Sequence, residues 1–236
     1  MAINFPTSLD NFTNPSSGNT LDSPSHSLQH SDINDAVEAM QRKVGVGTAV
    51  AGSASAGQVL TISAAGTSTW STPTPAGLVL LKTYTPTNVG SLSFDAGTFT
   101  STYKNYVVKG FLRNTTTTSI VTIRYRAAGT DATGADYSYQ ELFVGSTSVV
   151  GTRGTGQTSH VVFVLGNTWD ANFELNLYRP QETAVSSFNA FNFRSDAVSL
   201  MPTGGYHNQA VSYDSLSFIN SSSNFTGQIQ VFGVSQ

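Results

Sequence analysis

The chain contains no cysteine, so histidine, carboxylate and aromatic side chains are the first places to look for reactive or recognition chemistry. Thiolate catalysis, disulfide pairing and a cysteine zinc site are thereby excluded. His26 and His30 are four residues apart, a spacing that can set two imidazoles on one helix face for a metal. No third ligand accompanies them, and Pro24 argues that His26 lies ahead of the helix, so no metal is expected. Asp131-Ala-Thr-Gly-Ala-Asp136 resembles the start of a calcium loop. Ala135, however, brings no side-chain oxygen to the fifth position and Thr133 only a hydroxyl to the third. A turn is the expected role. His160, in Ser159-His-Val-Val-Phe-Val-Leu165, reads as a strand residue; His207, in Gly204-Gly-Tyr-His-Asn208, reads as a loop residue. No G-x-S-x-G elbow presents a serine to either. The 14 acidic residues show no spacing that selects a glycosidase pair. Gly151-Thr-Arg-Gly-Thr-Gly156 lacks phosphate-loop spacing and reads as a loop. The expectation is a protein without catalytic residues or cofactor. Recognition chemistry remains. Tyr137, Tyr206, His207 and Asn208 combine aromatic faces with an amide beside Gly204 and Gly205, the hardware that stacks on a sugar ring and reads its hydroxyls. Packing of the same tyrosines inside strands is the competing expectation.

The elements that must position these residues begin near Leu78. Val121, Ile123 and Tyr125 alternate with Thr122, Arg124 and Arg126; Phe173, Leu175 and Leu177 alternate with Glu174, Asn176 and Tyr178. Period-two alternation marks half-buried strands. Further strands are expected at Leu78–Tyr84, Asn105–Leu112, Tyr137–Val144, Ser159–Leu165, Phe188–Arg194, Ser215–Ile219 and around Ile229–Gly233. Gly, Asn, Ser, Asp and Pro punctuate them, and no amphipathic helix intervenes. Residues 78–236 are therefore expected to form an antiparallel, jelly-roll-like β-sandwich head, making the chain mainly β.

Upstream, one helix is expected at Ser31–Gly45, with Ser31 as N-cap, Asp32 and Asp35 in the first turn, and Arg42 and Lys43 in the last. Ile33, Val37, Met40 and Val44 line one side of it. Short helices are marginal alone in water, so another chain should bury that side, as an oligomerisation or docking surface. Residues 46–77 hold no charge and are rich in Gly, Ala, Ser and Thr. Within them Val59–Ile62 and Thr67–Trp70 read as a hairpin around Ala64-Ala65-Gly66. A lone hairpin is marginal, so Leu60, Ile62 and Trp70 are expected to be buried between copies in a stalk. Residues 1–30 carry Pro6, Pro15 and Pro24 with Phe5, Leu9, Phe12, Leu21 and Leu28 recurring among polar residues. That is more apolar content than a solvating tail needs, and an extended arm ordered by docking on a partner is expected.

Composition narrows the class. Charged residues are 11% of the 236, well below the roughly 25% of ordinary soluble domains. A net charge of -3 without a basic run argues against nucleic-acid binding. No stretch of about 18 apolar residues is present to span a membrane as a helix. Met1–Thr20 has no basic start followed by an apolar run, so release from a cell without a signal peptide is expected.

The run Phe5-Pro-Thr-Ser-Leu-Asp10, then Asn14-Pro15, then His30-x-Asp32-x-Asn34-Asp35-Ala-Val-Glu-Ala39 resembles the N-terminal segment of many tailed-bacteriophage virion proteins, commonly tail or head fibres. Gly57-Gln-Val-Leu-Thr61 with Gly66-Thr67 and Trp70 is similar to a short module of phage fibre shafts. The resemblance covers the first third of the chain. It implies a virion structural protein assembled in the host cytoplasm, anchored through its N-terminus to another virion protein and trimeric along its stalk. Its head would contact the host surface, as a tail fibre that binds a receptor or glycan. A capsid-attached head fibre or decoration protein is the alternative, and a secreted carbohydrate-binding module a second.

Overall fold

The computed structural model describes residues 17, 26–44, 54–73, 76–145, 147–195 and 199–235, and within the helix the side chains of residues 30, 31 and 33–41. Two units result, Met1–Thr74 and Pro75–Gln236.

In the first unit the helix α1 spans His26–Val44, 19 residues. It starts five residues ahead of the expected Ser31, so His26 is its first residue and Ser31 is not its cap. The sequence Pro24-Ser25 just upstream is compatible with that start, since serine is favoured at N-caps and proline is disfavoured in helix interiors. The first turn consequently holds no acid, and Asp32 and Asp35 lie further along. The expected arm of residues 1–30 thus loses its last five residues to the helix. Phe5, Leu9, Phe12 and Leu21 lie outside the described residues; Leu28 is helical, and its side chain, like that of Val44, lies outside them. Ile33 and Met40 are 62% and 61% exposed, and Val37 is half-buried.

The hairpin forms where the sequence places it, from β1 (Val59–Ile62) and β2 (Ser68–Ser71). Ser63 N donates to Thr67 O, Gly66 N donates to Ser63 O, and Gly66 sits at φ +78°. That is a three-residue loop closed by a left-handed glycine. Leu60 pairs directly with Trp70 across the ladder, and Ile62 lies two residues along on the same face.

The second unit is an antiparallel β-sandwich. One sheet has eight strands in the order β3 (Leu78–Tyr84), β15 (Phe225–Val234), β5 (Asn105–Asn114), β11 (Ala171–Tyr178), β12 (Val185–Arg194), β13 (Leu200–Ala210), β8 (Tyr137–Val144) and β9 (Val149–Gln157). The other runs β10 (His160–Leu165), β6 (Ser119–Ala127), β14 (Ser215–Asn220), β4 (Ser91–Ser93), with the short β7 (Thr130–Asp131) beside β6. Alternation drives the layering: Val121, Ile123 and Tyr125 of β6, Phe173, Leu175 and Leu177 of β11, and Phe225, Ile229 and Val231 of β15 all turn inward and are buried. Phe163 of β10 stacks on Phe173 of the facing sheet at 4.6 Å between ring centroids, and Phe218 of β14 lies 5.7 Å from Phe173.

Two strands correct the sequence expectation. Gly151–Gly156 belongs to β9 and Gly204–Asn208 to β13; neither is a loop. Glycine weakens strand propensity, but a neighbour demands it at two of these positions. A Cβ on Gly205 would stand 2.3 Å from Ser138 O, and one on Gly154 2.5 Å from the Tyr139 ring.

Candidate functional site

The four residues expected to form a sugar site lie on two faces of one sheet. Strand β13 turns His207 inward and Tyr206 and Asn208 outward. Tyr137 on β8, the register partner of His207, is also inward. Tyr137 and His207 are 0% and 1% exposed. The expected cluster of Tyr137, Tyr206, His207 and Asn208 therefore does not form at the surface, because successive strand residues point to opposite faces.

What Tyr137 and His207 do form is an aromatic interior. The ring of Tyr137 is 4.2 Å from His207 and 4.6 Å from His160, both edge-on, and His160 is 4.3 Å from Phe188. Tyr125 and Tyr213 stack at 5.1 Å alongside. Tyr137 Oη donates to Ala132 O at 2.8 Å, and Tyr213 Oη meets His207 Nδ1 at 2.9 Å. Neither ring nitrogen of His160 has a partner, nor does His207 Nε2. Burial disfavours the imidazolium and pushes His160 down to about 3, the neighbouring His207 adding to the effect; burial also lowers His207. Burial raises Tyr125 and Tyr137 and takes Tyr213 up to about 12. This is a neutral, packed cluster, and no serine hydroxyl is bonded to either histidine.

Asp131, at the head of the supposed calcium loop, is held by Arg126, whose Nη1 also reaches Ser93 and Ser217 at 2.9 Å. A guanidinium thus fills the place a cation would take at that carboxylate. Among the described residues no group of three or more His, Asp or Glu side chains is placed to hold a metal.

The opposite, outward face of β13, β8 and β9 is concave. Register sets three rows across it: Pro202 with Leu142 and Gly151, Gly204 with Gln140 and Arg153, and Tyr206 with Ser138. A trough of about 530 Å³ lies between the first two rows, and a second of about 220 Å³ between the last two. Glu141 borders the larger trough but alternates toward the inner face, where burial raises its pKa. The ion pairs among the described residues are Lys82–Asp95, Lys109–Glu174, Arg113–Asp170, Arg126–Asp131 and Arg179–Glu182; Arg153 belongs to none of them. Of the residues expected to bind ligand, only Tyr206 lines the troughs; Asn208 lies on the same outward face but not in them. Gln140 and Arg153 were not anticipated, and Gly204 was expected only as a loop glycine beside the site. Their signal is the period-two spacing of Gly151 with Arg153 and of Pro202, Gly204 and Tyr206, which becomes visible once both segments are read as strands.

Comparison with protein families finds no family model that matches this chain, and comparison with curated proteins finds no match.

Proposed function

We propose that the chain is a structural protein of a bacteriophage virion: a short homotrimeric fibre, docked on the particle through its N-terminal segment, whose β-sandwich head contacts the host surface without catalysing a reaction. The observation that carries this reading is the hairpin. Among the described residues nothing shuts Leu60 and Ile62 away from water, and they are 41% and 51% exposed. Two strands alone are marginal in water. Copies of the same uncharged segment are the partner that fits, and Ile33 and Met40 of α1 need a cover of the same kind. The resemblance of the N-terminal segment to phage fibres supplies the number three and the particle.

The strand order supports reading the head as a jelly roll. The four-strand runs β3-β15-β5-β11 and β10-β6-β14-β4 interleave early with late strands, as two wound Greek keys do. The hairpins β8–β9 and β12–β13 then widen one sheet by four strands. Phe111, Phe191 and Phe193 stand exposed on the outer face of that widened sheet, and grouped apolar side chains of this kind mark contact surfaces.

An antibody to the head, applied to purified particles, tests the assignment. Labelling at the tail tip is the expected result. Labelling on the capsid would move the fibre to the head of the particle, and unlabelled particles would contradict a virion role.

A further inference from the structure

We propose that the double trough on the outer face of β13, β8 and β9 binds a carboxylate-bearing sugar unit of an acidic polysaccharide. Arg153 takes the carboxylate, the Gln140 amide reads ring hydroxyls, and the Tyr206 ring lies against the C–H face. The proposal rests on the head being a surface-binding module and names the ligand class of that module.

The glycines of the trough point to a ligand. Gly205 and Gly154, on the same strands, are glycines because a neighbour would collide with any side chain. Gly204 and Gly151 are not so constrained. A Cβ on Gly204 would meet Phe188 O at 3.5 Å and Asn189 Cβ at 3.9 Å, ordinary contacts, and one on Gly151 would come no nearer than 4.0 Å to Glu141 O. Neither has a positive φ. Glycine is disfavoured in strands, so its presence at two outward positions without a steric or conformational need leaves one evident consequence: the troughs stay open. Their volumes, about 530 and 220 Å³, suit one or two sugar rings on the scale of small-ligand sites.

Charge selects the class. Arg153 is exposed, is joined to no carboxylate, and stands in register with Gln140. The acids nearest along these strands are engaged or turned away: Asp136 accepts from Gln209 Nε2 at 2.7 Å, and Glu141 alternates to the inner face. A lone guanidinium beside an amide and an exposed phenol ring matches a carboxylate on a pyranose, since arginine binds carboxylates in a planar fork and aromatic faces accept the apolar side of a sugar.

Titration calorimetry of the full-length protein with oligogalacturonate, and with a neutral maltodextrin of equal length as comparator, tests this. Oligogalacturonate should bind at least about ten-fold more tightly than maltodextrin, the discrimination of one charge-assisted contact. Arg153→Gln should remove most of that preference. Gly204→Val, which places a side chain in the trough without a clash at its Cβ, should abolish binding of both oligomers while leaving the thermal midpoint in place. Equal binding of the acidic and neutral oligomers, no binding of either, or binding unchanged in Arg153→Gln would overturn the proposal. The protein's mass by light scattering separates the two readings: oligosaccharide binding by a monomer counts against the stalk alone, and a non-binding oligomer against the trough alone.

Discussion

Inside the head, inward residues of facing strands bury one another: Val121, Ile123, Tyr125, Phe173, Phe218 and Ile229 are all shut away from solvent. In residues 26–73 comparable apolar residues, Ile33, Met40, Leu60 and Ile62, stand in solvent. Both regions carry regular secondary structure, so hydrogen bonding does not distinguish them. The difference is whether the described residues supply a second layer. A sheet face or helix stripe gains its stability by removing apolar area from water. The head does this within one chain, whereas among the described residues Ile33, Met40, Leu60 and Ile62 find no such cover. On the proposed reading, stability and assembly fall to different parts of the molecule.

The contrast can be broken most forcefully in the core. Phe218→Ala, which deletes a ring touching Phe94, Phe163 and Phe173, should cost about 3–5 kcal/mol in denaturant unfolding of the head. A similar truncation at Met40 should leave that transition within about 0.5 kcal/mol and act on assembly instead. If Met40→Ala destabilised the head as much as Phe218→Ala, the division between the two regions would be wrong.

Neighbouring glycines give a second pair. Gly205→Ala places a Cβ against Ser138 O and should destabilise by about 1–3 kcal/mol, while Gly204→Ala should be near neutral. Thermal midpoints of the two variants decide it. Equal effects would remove the argument that the trough's glycines serve an opening.

Acid sharpens the picture of the core. His160 is pushed down to about 3 when folded, from an ordinary value of 6.5. A depressed histidine means that the unfolded chain binds the proton first, so its contribution to stability is complete above pH 6.5 and is lost as pH falls below it. His160 alone should lower stability by about 2 kcal/mol between pH 8 and pH 5, and His207, shifted the same way, adds to the slope. The buried tyrosines act on the other side, with stability falling once pH passes the ordinary phenol value near 10. Urea unfolding should therefore show a plateau between those limits. His160→Leu should flatten the acid limb, and an unchanged limb would mean that the histidine is not buried as described.

Sequence reading reached those parts whose side chains alternate cleanly. Val121, Ile123 and Tyr125, or Phe173, Leu175 and Leu177, announce both strand and buried face, and Ala64-Ala65-Gly66 announces the hairpin turn. It failed where glycine replaces the alternating residue. In β9 and β13 the strand signal is carried by cross-strand contacts that one sequence does not display, such as Gly205 under Ser138 O and Gly154 under the Tyr139 ring. That failure put Tyr206 and His207 into one imagined surface site, although a strand must send them to opposite faces. It also hid Gln140 and Arg153, since the groove arises from register between the β8–β9 hairpin and β13, which lies far along the chain. The helix start differs for a simpler reason: Ser31 and the acidic residues after it read as a helix start, whereas the helix already begins at His26.

The mass of the full-length protein in solution tests the central claim most directly. Light scattering at micromolar concentration should give about three times the 24.9 kDa chain mass. Leu60→Asp combined with Ile62→Asp should bring it down to a single chain with the head's unfolding transition intact. A monodisperse monomer of the unmodified chain, with residues 1–75 in place, would contradict the account.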